Sequence, residues 1–283
     1  MPVYGNILFE LIFFIVFNGA LNSNHLKSSK PNFMNKKVTL IIQARMGSSR
    51  LPGKSMLDLA GVPLIGRILE RIKRIKKANE LVLAIPDTSE NEILANIGRD
   101  YGLTIYAGSE NDLVERYYQA ALMSKTDFIV RLPGDNATPE PLEIDRIIDH
   151  HISLGRPGFS SNLAPFKNSG YPDGIGAEIF DFSLLSDARS RNPKPSMKEH
   201  VHLNFFDYET QTAVDEEWCP ISTVPCPSAF SRPDLILDVN TQAQYEFIRE
   251  IYLYFYSRNQ EFHITDIISW YDNIYRMPQN IVS

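Results

Sequence analysis

The sequence is poor in cysteine. Cys219 and Cys226 are the only two among 283 residues. Each lies in a Pro-rich stretch, Trp218-Cys219-Pro220 and Pro225-Cys226-Pro227, with no second Cys pair and no His cluster beside them, so they read as structural thiols and not as a zinc site. Such sparse use suits a reducing cytoplasm. Excess positive charge is also lacking: the formal net charge is −6, which argues against a general nucleic-acid or anionic-membrane partner. No apolar run is long enough for a bilayer. The longest, Ile7–Phe17, has eleven residues interrupted by Glu10, where a spanning helix needs about 20. It has no Lys or Arg before it, which makes it a poor signal peptide, although Asn18-Gly19-Ala20 keeps export open. Asn22–Lys30 is a polar linker, and Met34-Asn35-Lys36-Lys37 leads directly into the first strand. Residues 1–33 are therefore expected to lie outside the fold, with a membrane-associating segment as the alternative, and residues 34–283 to form the folded domain.

What is present is an ordinary folded composition, 43% hydrophobic and 22% charged, arranged as alternating strands and helices. Strands are expected at Val38–Ile42, Glu80–Ile85, Leu103–Ala107, Asp127–Leu132, Ala177–Phe180 and Leu235–Asn240. Helices are expected at Val62–Lys77, Ser89–Tyr101 (Ser89 as N-cap), Asp112–Ser124, Pro141–Leu154, Gln242–Tyr256 and Glu261–Met277. This order predicts an α/β fold, a mostly parallel central sheet with helices on both faces. The basic residues of the first helix, Arg67, Arg71, Lys73, Arg74, Lys76 and Lys77, read as a solvated face. His150 and His151 point about 100° apart on a helix, too far for a metal pair, and read as surface or helix-end residues.

Ligands of such sheets lie beyond the carboxyl ends of the strands. The first of those ends is unusual. The eleven residues Ala44-Arg45-Met46-Gly47-Ser48-Ser49-Arg50-Leu51-Pro52-Gly53-Lys54 contain two glycines, two serines, two arginines and a lysine. Gly and Ser allow backbone N–H groups to converge on an anion, and three cations suit a polyanion such as a nucleotide phosphate. Gly47…Gly53-Lys54-Ser55 nearly spells a P-loop, but five residues separate the glycines where that motif has four, so its cradle would be out of register. At the end of the fourth strand stands Gly134-Asp135. Asp135 reads equally as a turn residue or as a ligand for Mg²⁺, which takes one or two carboxylates plus phosphate oxygens and water.

The run from Gln43 to Lys54 resembles the N-terminal signature of the cytidylyltransferases that activate acidic sugars, the acylneuraminate and 3-deoxy-manno-octulosonate enzymes, and most closely the branch of the spore coat polysaccharide biosynthesis protein F. The resemblance covers roughly residues 34–275. It implies that Gln43, Ala44, Gly47, Ser48, Ser49, Gly53 and Gly134 bind nucleotide, and that Arg45, Arg50 and Lys54 clamp the triphosphate. It further implies Mg²⁺ on Asp135, Asp238 and Asn240, sugar contacts from Glu178, Glu199 and His200, and a homodimer. The chain departs from the family pattern at Asn240 and Gln244, where acids are usual, at Gly176, where Asp is common, and at Asn136-Ala137. The expected reaction is transfer of CMP from CTP to a sugar with loss of pyrophosphate. Two alternatives stay open: a nucleotide-sugar glycosyltransferase of similar shape, or a weakened nucleotide-binding partner subunit. No Ser/His/Asp constellation is evident as a competing site.

Overall fold

The computed structural model describes residues 36–48, 50–163, 166 and 169–276; the expected extension, residues 1–33, lies outside them. The chain starts with β1 (Val38–Gln43), whose alternate side chains enter opposite cores: Leu40 and Ile42 one, Ile41 the other. A strand buried on both faces is what an uninterrupted β-branched run favours. A small hairpin follows, β2 (Asp58–Leu59) and β3 (Val62–Pro63), and then α1 (Leu64–Ile72). Next come β4 (Glu80–Pro86), α2 (Glu92–Asp100), β5 (Thr104–Gly108), α3 (Leu113–Ser124), β6 (Phe128–Pro133) and α4 (Pro141–Ser153). The second half contributes β7 (Phe159–Ser161), β8 (Glu178–Asp181), α5 (Phe182–Ser190) and α6 (Pro195–Glu199). The short strands β9 (Phe206–Asp207), β10 (Thr212–Ala213) and β11 (Ile221–Ser222) precede α7 (Gln242–Tyr256) and α8 (Ile264–Trp270).

Seven strands form one sheet in the order β11-β7-β8-β6-β1-β4-β5. β6, β1, β4 and β5 pair in parallel, while β8 runs antiparallel to both β6 and β7. Residues of α1, α2, α4, α7 and α8 fill the core on one face, and those of α3 and α5 the core on the other. The expected layering is thus present. Each fully buried Leu or Ile in these cores contributes about 1.5–3 kcal/mol.

Several expectations are corrected. The first helix starts at Leu64 and ends at Ile72 instead of spanning 62–77. Val62 and Pro63 pair with Asp58 and Leu59 across a tight turn in which Ala60 and Gly61 have φ of 53° and 85°, the left-handed pair that a two-residue hairpin requires. Its basic face is not fully solvated. Arg67 and Arg71 are each 3% exposed. Arg67 donates to the carbonyls of Leu59 and Ala60, and Arg71 to those of Pro139 and Phe262. These cations tie the hairpin, Pro139 and the segment before α8 to α1. Residues 235–240 make only isolated bridges, Asp173 to Ile236 and Asn136 to Asp238. Ser89 lies within a short 3-10 turn whose cap position is Thr88, without a side-chain cap bond.

His151 is buried, against expectation. It sits between Ser160 Oγ at 2.8 Å and Asp181 Oδ2 at 3.3 Å. This is a Ser-His-Asp chain that the sequence reading missed. Ser160 has 0% exposure, so the chain joins α4 to β7 and β8 and offers no nucleophile to a substrate. Cys219 is likewise buried, and its thiol is pushed up to about 12 by burial first.

Candidate active site

The rim at the carboxyl ends of β1 and β6 bears a cleft of about 700 Å³. Arg50, Lys54 and Asp135 are among its walls. Lys54 Nζ lies 2.7 Å from Asp135 Oδ2, 3.1 Å from the Val239 carbonyl and 3.3 Å from Asn240 Oδ1. Arg50 Nη2 donates to the same Asn240 oxygen at 2.6 Å. Two cations of the loop after β1 thus meet the acid after β6 and the segment 238–240.

The loop is held by its own backbone. The N–H groups of Ser48 and Gly53 donate to the Met46 carbonyl, that of Lys54 to Leu51, and that of Leu51 to Ser48 Oγ. Met46 N–H donates to the buried Asn91 side chain. Five N–H groups are therefore used inside the protein. These five are not free to face an anion, so side-chain cations make up much of what the loop offers to the cleft. Gln43, Ala44 and Gly134 line the cleft with Ser48. Gly47 is exposed, and Ser49 lies outside the described residues.

Asp238 accepts from Asn240 Nδ2 in a short contact and from Gln244 Nε2 at 3.1 Å. Its carboxyl is pushed up to about 6, by burial first and then by the negative fields of Asp173 and Asp135. Asp173 belongs to the segment Tyr171-Pro172-Asp173-Gly174, which resembles a family segment near the sugar, and its place beside Asp238 was not expected. Its own carboxyl is raised by burial, with Asp135 adding to the effect. The positioning device is Gly174, with φ of 87°. A Cβ there would lie 2.5 Å from the Leu237 backbone, so only glycine lets the Tyr171–Gly174 turn press against residues 237–238. Gln244 has a second task. Its Oε1 accepts from the N–H of Thr241 in the capping box of α7, and from that of Asn240.

Glu178 is 0% exposed and pairs with Arg131 at 2.6 Å. Tyr208 Oη donates to its other oxygen at 3.3 Å. Arg131 is raised by Glu178 against the cost of burial, and it also donates to Gln43 Oε1 at 3.3 Å. Glu178 therefore lies beneath the rim and reaches it through Arg131 and Gln43. Glu199 and His200 are exposed cleft residues. Glu199 lies 3.9 Å from Arg45, across the cleft. Behind His200 stands His202, held well below the ordinary histidine value by burial and then by Arg131. At Gly176 a Cβ would meet the Asn162 carbonyl at 2.4 Å. Asn162 Oδ1 accepts from Ala177 N–H at 2.9 Å, so the aspartate common in the resembling family has no room in this packing.

Oxygen donors of two carboxylates, one raised by its acidic neighbours, suit a divalent cation, whose charge would relieve that repulsion. Asp135 and Asp238 are the acids that fit. Asn240 fits less well, since its carbonyl oxygen already accepts from Arg50 and Lys54. Among the described residues there is no group of three His, Cys, Asp or Glu side chains able to hold a metal, so phosphate oxygens and water must complete any coordination shell.

A cationic loop beyond the first strand of a parallel sheet, facing acids beyond its neighbour, is the arrangement of a nucleotide-binding α/β protein. The chain belongs to the cytidylyltransferase family, whose model matches residues 39–250. It is 29% identical over 220 residues to the spore coat polysaccharide biosynthesis protein SpsF of Bacillus subtilis, covering 76% of this chain and 86% of that one. It is 34% identical over 113 residues to a 3-deoxy-manno-octulosonate cytidylyltransferase of Anaeromyxobacter, covering 40% of this chain and 46% of the relative. Among solved structures, a cytidylyltransferase from Leptospira borgpetersenii superposes with a TM-score of 0.76 at 30% identity, over 87% of this chain and 98% of that chain.

Proposed function

We propose that this protein transfers CMP from CTP to an acidic or related sugar for the synthesis of a surface polysaccharide or glycan. The observation that carries the reading is the meeting of Lys54 with Asp135 and Asn240 in one cleft, with Arg50 on the same asparagine. A sugar oxygen attacks the α-phosphorus, the bond to the β-phosphate breaks, pyrophosphate leaves and the sugar hydroxyl loses its proton. Charge neutralisation and in-line placement dominate such chemistry. Arg45, Arg50 and Lys54 hold the triphosphate. Asp135 and Asp238 would hold Mg²⁺, which supplies charge neutralisation at the phosphates and acidifies the attacking hydroxyl. Glu199 and His200, exposed on the facing wall, contact the sugar, while Glu178 fixes Arg131 and through it Gln43. The same reading includes a cytoplasmic location, on the sparse cysteine use, and a homodimer, on family resemblance; no described helix is long and apolar enough to cross a membrane.

The test is a thermal shift of the protein with CTP, UTP, GTP and ATP, with and without Mg²⁺. A ligand at 100 times its Kd stabilises by about 2.7 kcal/mol. A Mg²⁺-dependent CTP shift that disappears in Asp135→Ala is expected, followed by pyrophosphate release with a sugar acid. The absence of a shift with every triphosphate would overturn the reading.

A further inference from the structure

Lys54 is bonded as a metal ion would be. An ammonium has three N–H donors, and three oxygens meet this one: Asp135 Oδ2 at 2.7 Å, the Val239 carbonyl at 3.1 Å and Asn240 Oδ1 at 3.3 Å. A carboxylate, a peptide carbonyl and an amide carbonyl are also the oxygen donors that a hard cation takes. The Lys54 side chain is 14% exposed and that of Asp135 23%, so the pair is shielded from water more than an ordinary surface ion pair is. The field of Lys54 also reaches Asp238, where it opposes the rise imposed by burial, Asp173 and Asp135. Both acids that fit a divalent cation are thus already served by a cation of the chain itself.

Two cations compete for these oxygens. A positive charge a few ångströms from a carboxylate lowers its affinity for a proton by about one to three pKa units. The same field disfavours any second cation, and a doubly charged one more. The ammonium is able to leave. It is a point charge on a flexible four-carbon stem, and it lines the same cleft as Arg45 and Arg50. Rotation of its own side chain therefore carries it from the acids to a polyanion held by those arginines. Asn240 Oδ1 keeps Arg50 as a donor when Lys54 departs.

Resting on the proposed metal site at Asp135 and Asp238, we propose that Lys54 is a stand-in cation that keeps metal off these acids until a nucleotide triphosphate arrives. In the nucleotide-free protein its ammonium neutralises Asp135. The triphosphate draws the ammonium away and opens Asp135, so the site admits metal and nucleotide as a pair. By linkage, each raises the affinity of the protein for the other. The role differs in sign from that of a plain phosphate ligand: loss of the Lys54 charge weakens nucleotide binding but strengthens metal binding.

The experiment measures Mn²⁺ binding to the full chain by electron paramagnetic resonance, a readout that needs no turnover. Wild type, Lys54→Met and the double variant Lys54→Met/Asp135→Asn are compared without nucleotide, and wild type also with CTP. Nucleotide-free Lys54→Met is expected to bind Mn²⁺ on the order of tenfold or more tighter than wild type, and the double variant to lose that gain. CTP is expected to tighten Mn²⁺ binding to wild type beyond what the Mn²⁺–CTP complex in free solution accounts for. An affinity of Lys54→Met equal to or weaker than that of wild type overturns the assignment, as does a gain that survives in the double variant. Should Lys54→Met fail to fold, wild type decides alone: Mn²⁺ bound as tightly without nucleotide as with CTP overturns it. Wild type that takes up no Mn²⁺ even with CTP sinks the metal site and this assignment with it; Mn²⁺ uptake that Lys54→Met leaves unchanged sinks the assignment only.

Discussion

Replacing Asp238 by Asn separates the cost of the acidic cluster from its use. The Asp238 carboxyl sits near 6 because burial, Asp173 and Asp135 all disfavour its charge. In the unfolded chain an aspartate titrates near 3.9. A folded pKa above the unfolded one gives stability that is complete below about pH 4 and is lost as pH rises through about 6. At pH 8 the ionised group therefore burdens the fold. Without discount, a displacement of that size is worth about 3 kcal/mol. Asp238 is only partly buried and Lys54 is nearby, so solvent and counter-charge reduce this to about 1–2 kcal/mol. For a domain of this size that is roughly 3–6 °C in Tm. The assay is calorimetric unfolding of wild type and Asp238→Asn in chelator, at pH 4.5 and pH 8. The asparagine loses acceptance of one hydrogen bond at either pH, so the signature is the difference between the two conditions. The variant gains on wild type by several degrees at pH 8 and not at pH 4.5, while its Mg²⁺-dependent CTP shift is gone. An equal Tm difference at both pH values would refute the reasoning.

Further outcomes follow from the same contacts. Gly176→Asp drives a buried carboxylate into Asn162 and should destabilise the protein by about 3 kcal/mol or more; a urea titration showing unchanged stability would show that the pocket opens. Arg131→Met strands the buried Glu178 and should cost about 3–5 kcal/mol, most of it recovered by adding Glu178→Leu. Asn240→Asp adds a carboxylate beside Asp238 and should tighten the Mg²⁺ dependence of CTP binding; an unchanged titration would remove residues 238–240 from the metal site. Ser160→Ala takes the partner of the buried His151 and should lower stability by about 1–2 kcal/mol with turnover per folded molecule intact; loss of turnover in fully folded protein would show that the Ser-His-Asp chain is more than structural.

Most of the sheet was legible because β1, β4, β5 and β6 are apolar runs ended by polar or Gly/Pro residues, and their ends fall within a residue or two of expectation. The first helix was misread because its stripe continues on both sides of Leu64–Ile72. Local pattern cannot show that Ala60-Gly61 folds Val62-Pro63 back onto Asp58-Leu59. Arg67, Arg71 and His151 were placed in solvent because charge is usually exposed, whereas here backbone carbonyls and a carboxylate satisfy them inside. Residues 235–240 alternate as a strand should, and Leu235, Leu237 and Val239 are buried, yet their backbone finds only single bridges. At the site, the loop cations and Asp135 were visible as chemistry stacked at strand ends. The place of Asp173 beside Asp238 was not, since it depends on how the chain packs. The signals for Asp173 were the glycine after it and the resemblance of Tyr171-Pro172-Asp173-Gly174 to a family segment.

Asn240 looked like the weak point of the site, a carboxylate missing from a place where charge governs cation affinity. The structure changes the terms of that argument. The field at Asp238 comes from Asp173 and Asp135, with Asp173 the larger of the two, so the rim carries three acids without residue 240. An aspartate at 240 would add a fourth within contact of Asp238. Asparagine instead donates to Asp238 and accepts from Arg50 and Lys54, coupling the acids to the cations of the loop. Gln244, one turn on, also donates to Asp238 while capping α7. Both neutral side chains therefore lower the repulsion among acids that Gly174 has brought together, and the site trades one unit of charge for hydrogen bonds that fix the loop over those acids.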